Sequence, residues 1–355
     1  MSEPLLDRRG LLRAAVGAGV AGGLGLALPG AATAALAETA APSGTAAIAG
    51  GSARAGAAAA LGPAGFPSYQ YVGTPFSKAS LRYNPTNELI FPCIRGMYDK
   101  IASPLGRYHL YYAPHDAPGG ICLAYGNSLG GPFTEYPNNP IISNTWSPHY
   151  SVSHVSSPHV IWNAASRQFH MYFHGENNTT RMAWSTDGVR FTYHGTVLTT
   201  AMIPGSTETS YARVFEHAVP GLGNKYVMIF MGVTGGSRKI FWGWSSDGRS
   251  WRFDPTPLVS PAPDGQTDLS GPHLLKRNGT AYVVYHGNSG NMFLTEVGNA
   301  FDREVHLGVF HRALTGAPDR GRGAAPSFGT DGGVEYMFYE AGQRSGSTIA
   351  VARAV

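Results

Sequence analysis

Ser153-His154-Val155-Ser156-Ser157-Pro158-His159-Val160-Ile161-Trp162-Asn163, followed after a polar turn by Gln168-Phe169-His170-Met171-Tyr172-Phe173-His174-Gly175, reads as a pair of β-strands. An apolar run opens after a proline, and an aromatic run closes on His-Gly. The same pattern returns at Tyr108-His109-Leu110-Tyr111-Tyr112, Tyr226-Val227-Met228-Ile229-Phe230, Tyr282-Val283-Val284-Tyr285 and Tyr336-Met337-Phe338-Tyr339. Aligned on Tyr112, Phe173, Phe230, Tyr285 and Tyr339, the spacings are 61, 57, 55 and 54 residues. Five units of nearly constant period define a repeat architecture.

Each unit has room for about four strands. In the second they fall at Pro158 to Asn163, Gln168 to Phe173, Thr180 to Ser185 and Arg190 to Gly195; in the third at Val214 to Val219, Lys225 to Met231, Lys239 to Ser245 and Trp251 to Phe253. Four-stranded antiparallel units repeated radially describe an all-β fold, a five-bladed β-propeller. The fifth unit ends at Ile349-Ala350-Val351-Ala352 with only three strands, so its outer strand is expected from Phe66 to Val72, a closure that hides the edges at the seam. Ser185-Thr186-Asp187-Gly188 and Ser245-Ser246-Asp247-Gly248 are turns between third and fourth strands, with Asp capping the turn and Gly supplying positive φ.

Bulk composition agrees with many short strands: Gly 47, Pro 25 and 11% aromatic residues among 355, with 43% hydrophobic and only 14% charged. The net charge of +4 is spread thinly, without a run of basic residues among aromatics, which argues against a nucleic-acid partner. Asp7-Arg8-Arg9-Gly10 before the apolar Ala14 to Leu28, with Ala35-Leu36-Ala37 beyond, reads as a Tat-type signal over 1–37, hence a secreted protein not held by a membrane after cleavage. Residues 38–65 read as a disordered Ala/Gly-rich linker, and 66–355 as the propeller domain, a monomer. Cys93 and Cys122 fall two strands apart, beyond disulfide reach, and are expected as two buried thiols.

A resemblance now appears. Ser128-Leu129-Gly130-Gly131-Pro132-Phe133 followed by Asn139-Pro140-Ile141, with prolines opening the inner strands, is similar to the first-blade ending of the five-bladed glycoside hydrolases of families 43, 62, 117 and 32. The resemblance implies a glycosidase acting on a carbohydrate, with a base carboxylate opening the first blade, an Asp before the proline of the second and an acid Glu in the third. This sequence has Phe91 and Ser157 in the first two places, and keeps an acid only near the third, at Glu208 or Glu216.

Propeller geometry places the loops before first strands and after second strands on one face, where loop residues carry function. His154, His174, His286, Glu176, Glu208, Tyr211, Arg213, Asp268 and Glu340 all fall there. His154 and Asp268 are the expected acid and base of a glycoside hydrolysis, with Glu208 as substitute, since one group must protonate the leaving oxygen and another activate water. Arg213, read as occupying the place where other units have proline, is expected to clamp an acidic sugar or to pair with Glu208 or Asp268. Tyr211 is a stacking platform for the sugar. The dispersed histidines lack the short spacing of a zinc motif, so no catalytic metal and no cofactor is expected, with a structural calcium in the central channel left open. The substrate is a furanoside or uronate-containing glycan. A polysaccharide lyase with His154 or Tyr211 as base, and a non-catalytic sugar-binding propeller, are the alternatives.

Overall fold

The computed structural model describes residues 62–355; the expected signal and most of the expected linker lie outside them. Residues 62–65, assigned to the linker, belong to the described part: Phe66 donates its backbone N–H to the Pro63 carbonyl.

Five four-stranded antiparallel sheets form the blades. Their inner strands are Ile90–Gly96, Val155–Asn163, Ser206–Glu216, Leu269–Arg277 and Gly323–Asp331, and each packs against the next around a central axis. Only three short 3-10 turns interrupt the β-structure among the described residues. Tyr69–Gly73 pairs antiparallel with Thr348–Ala354 and supplies the outer strand of the fifth blade, as the missing fourth strand requires. The second blade's outer strand runs Thr192–Thr199, later than the sequence places it, because irregularities near Gly195 let it continue.

The aromatic period marks the same place in every blade. Tyr112, Phe173, Phe230, Tyr285 and Tyr339 are all buried, and the residues just before them, Tyr111, Tyr172, Ile229, Val284 and Phe338, pair with Cys93, His159, Arg213, His273 and Ser327 of the inner strands. Two residues ahead of each inner partner stands one with left-handed backbone: Phe91 (φ 50°), Ser157 (56°), Tyr211 (58°), Gly271 (56°) and Ala325 (45°). Each lies within a break in ladder register, a bulge that re-aims the side chain. Pro92, Pro158, Pro272 and Pro326 follow four of the five, where the missing N–H loses no ladder bond. Ile90, Phe91, Tyr211, Met231 and Ala325 cluster as an apolar plug at this level.

In the turns after the third strands, the Asp187 carboxylate accepts from Val189 and Arg190 N–H at 2.8 Å, and Asp247 accepts from Arg249 and Ser250. Burial works against ionisation of Asp187, but these N–H groups hold its carboxyl below the usual range. Cys93 and Cys122 are free and buried.

Candidate active site

At the bulged ends of the inner strands a cavity of about 370 Å³ opens. Its wall is built from loops before first strands (Asp268, Arg322), loops after second strands (His115, Gln343, Arg344), Arg238 near the start of a third strand, and His286, Glu340 and Tyr211 from within strands. The turns of Asp187 and Asp247 lie at the opposite end: Asn163, closing the Val155–Asn163 strand, donates to the Asp247 carbonyl.

Tyr211 is the centre of the site. Its ring stacks on Phe91 with centroids 4.5 Å apart, and its hydroxyl lies 3.1 Å from His115 Nε2. His115 Nδ1 is in turn 2.8 Å from Asp116 Oδ1 and 2.7 Å from a guanidinium nitrogen of Arg344. Burial, then the neighbouring Arg344 charge, pushes the His115 imidazole below its ordinary value, so it is neutral near pH 7. Hydrogen bonding to His115 holds Asp116 low. Behind them Arg344 Nε donates to Glu88 Oε1 at 2.6 Å; Glu88 is fully buried, and its Oε2 has no partner. Glu88, His115 and Asp116 bring potential ligand atoms within 4.8 Å of one another, but the Arg344 guanidinium fills that space and we assign no metal to it.

Three imidazoles meet beside Tyr211. His115, His154 and His174 have centroid separations of 5.7 to 6.3 Å, and His174 lies 5.0 Å from the Tyr211 ring. His154 hydrogen-bonds Ser153 and Asn177. His174 is buried with neither ring nitrogen partnered, and burial followed by the nearby His115 and His154 keeps it neutral.

On the other side of the cavity Arg238 gathers two acids. Its guanidinium is 3.4 Å from Glu208 Oε2, and its backbone N–H donates to Asp268 Oδ1 at 3.0 Å. Glu208 also accepts from Ser210 Oγ. Glu340 is buried, ion-paired to Arg322 at 2.7 Å and accepting from Phe91 N–H, so it braces the cavity floor. His286 lines the wall, its Nδ1 accepting from Ala325 N–H; burial, then Arg322 and Arg238, pushes it well below its ordinary value.

Several expected roles change. His154 and Asp268 do not face each other as an acid and base pair: His154 stands with His115 and His174, whereas Asp268 shares Arg238 with Glu208. Glu176 pairs with Arg181 at 3.2 Å and is not among the cavity residues. Arg213 is no sugar clamp and pairs with neither acid. Ala212 takes the place of proline in the third blade, and Arg213 falls one layer deeper, with Cys93, His159, His273 and Ser327. There it is 1% exposed, donating to the carbonyls of Pro326, Ala325 and Pro92 and to His273 Nδ1. Desolvation pushes its guanidinium down to about 10. A thiol, two imidazoles, a guanidinium and a hydroxyl do not suit a hard cation, so this layer does not fit calcium.

Sequence reasoning placed His115, Asp116 and Arg322 in the loops of this face without choosing them as site residues, and did not place Glu88, Arg238 and Arg344 there. The loop position of His115-Asp116 after a second strand is the signal that points to them.

No family model matches the sequence, and no curated protein matches it. Solved structures do. A glycoside hydrolase shares 12% identity at a TM-score of 0.61, over 83% of this protein and 92% of that one. An α-L-arabinofuranosidase from Lactobacillus brevis shares 16% identity at 0.54, over 76% and 92%. A thermostable family-43 glycoside hydrolase shares 13% at 0.52, over 75% and 89%. The protein thus has the five-bladed propeller fold found among glycoside hydrolases.

Proposed function

We propose that this protein is a glycoside hydrolase, exported through its twin-arginine signal, that cleaves a furanoside or uronate-containing glycan in the cavity around Tyr211. One observation carries the reading: a cavity of sugar dimensions at the bulged strand ends, lined by the Tyr211–His115 pair and by Asp268 on Arg238, which also holds Glu208. Proton donors and acceptors of that kind are what glycosidic cleavage needs. The Arg238, Arg322 and Arg344 side chains favour an acidic sugar, because a guanidinium binds a carboxylate through paired N–H donors. The solved structures named above support the activity class through their fold.

Incubating the purified protein with arabinan, galactan and uronate-rich polysaccharides and separating the products tests this. Released sugar, abolished by Tyr211→Phe, is the expected result. The Tyr211–His115 pair beside the arginines also suits elimination from a uronate; products absorbing near the ultraviolet edge would mark a lyase. Retention of polymer without any product would mark a binding protein.

A further inference from the structure

We propose that Tyr211 is the catalytic nucleophile of this site, with His115 as its base and Asp116 as the residue that sets the base's tautomer. The proposal rests on the glycosidase reading and gives that chemistry its reacting atom.

Four observations carry it. The inner-strand bulges put Phe91, Ser157, Tyr211, Gly271 and Ala325 at equivalent places in the five blades, and none is a carboxylate. Tyr211 alone among them offers an ionisable oxygen, and that residue lines the cavity. Its left-handed φ of 58° comes with the bulge that all five inner strands share, and the Phe91 stack and the His115 hydrogen bond hold its ring in the position the bulge gives it. Lastly, a phenol in contact with an imidazole that in turn meets a carboxylate is the arrangement of an activated nucleophile.

Charge explains the choice of tyrosine. A carboxylate would repel an acidic sugar held by Arg238, Arg322 and Arg344, whereas a neutral phenol approaches its anomeric carbon freely. Burial pushes the Tyr211 phenol up to about 12, so it rests protonated and needs a base within reach. Nδ1–H of His115 directed at Asp116 leaves the Nε2 lone pair for the phenol. With Arg344 donating to Nδ1 instead, Nε2 would carry hydrogen and the phenol could not be deprotonated. Arg344 lies 2.7 Å from Nδ1 and 3.4 Å from the same Asp116 oxygen, so the productive tautomer requires its guanidinium to move its donation from the ring to the carboxylate.

In the first step Nε2 takes the phenolic proton, the Tyr211 oxygen bonds to the anomeric carbon, and the glycosidic C–O bond breaks with its electron pair on the leaving oxygen. That oxygen takes up one proton, equal to the one His115 gained and passes on. Water then attacks the same carbon with His115 accepting its proton, and the phenol re-forms. No outside reagent is required.

Phenylmethanesulfonyl fluoride tests the phenol directly, since an activated tyrosine displaces fluoride, forms the S–O bond and gives its proton to the neighbouring base. Peptide mass spectrometry on the intact protein should find Tyr211 labelled about tenfold or more faster than the half-exposed Tyr98. His115→Gln and Asp116→Ala should each return Tyr211 to the Tyr98 rate with folding unchanged by circular dichroism. A Tyr211 that labels no faster than Tyr98, or equally fast without His115, overturns the proposal; an oxygen this reagent does not reach would not reach an anomeric carbon either. Labelling needs no turnover. An inactive protein with a reactive Tyr211 therefore defeats only the hydrolase reading, and an active one with an inert Tyr211 defeats only this one.

Discussion

Tyr111 donates its hydroxyl to the Gly188 carbonyl at 2.7 Å, tying the second strand of the first blade to the outer turn of the second. Tyr172 repeats the contact one blade on, donating to Gly248 at 2.6 Å. Both phenols are fully buried, so a lost bond leaves a carbonyl unpaired in a dry interface. Tyr111→Phe should therefore destabilise the protein by about 1–2 kcal/mol in urea unfolding with little loss of packing. An unchanged midpoint would show that this interface is held by apolar contact alone.

Gly188 at the same junction has φ 73°, and a Cβ there would lie 2.5 Å from Met97 Cε and 2.9 Å from the Tyr111 oxygen. Gly188→Ala should cost more than the tyrosine change, about 2–4 kcal/mol, because backbone strain and a clash add. A thermal scan of both variants ranks them.

Arg213 binds three backbone carbonyls and His273 within the channel. Replacing it by Met leaves those acceptors without a donor, a loss of about 3 kcal/mol or more that outweighs the relief of burying no charge. Arg213→Met is expected to unfold at markedly lower urea, while Arg238→Ala, at the cavity edge, should barely shift stability. Equal midpoints for the two would refute the channel role.

His306 sits between Asp264 at 2.9 Å and Glu304 at 3.2 Å, away from the cavity. Burial opposes its protonation, but the two carboxylates prevail and raise it to about 9. A folded value above the unfolded one means stability fully present below about 6.5 and lost as pH rises through 9. The melting temperature should fall between pH 7 and 10, and His306→Gln should flatten that fall. A profile identical in both proteins would count against the pairing.

Arg344→Ala removes one cation from the cavity wall and uncovers Glu88. Binding of an acidic oligosaccharide should weaken about tenfold or more, and a neutral one much less, by calorimetry at low salt. Equal losses for both would mean that Arg344 shapes the cavity rather than selecting charge.

The blades were legible because strand pairing repeats locally: the aromatic run recurs in every unit and the X-Pro opening in four of the five, and in the first four blades the ladder needs nothing from elsewhere in the sequence. The site was only half legible. Its face followed from blade geometry, but Tyr211 and His115 meet across 96 residues through side-chain directions that pattern does not encode. Arg213 shows the physical reason for misreading a slot. Proline marked the bulge in four blades, and where Ala212 replaced it the backbone kept the bulge while the sequence lost its marker, shifting the assignment by one residue. Glu88 was missed because it stands before the first strand opens, three residues ahead of the bulge at Phe91.

Tyr69–Gly73 meets Thr348–Ala354 at the seam, joining the two ends of the described fold. Four blades can assemble from neighbouring segments, but the fifth needs two strands that lie more than 270 residues apart. The ring is thus latched by its longest-range pairing, and a protein lacking Thr348–Ala354 would carry an open fifth sheet and a strand, Tyr69–Gly73, without a partner.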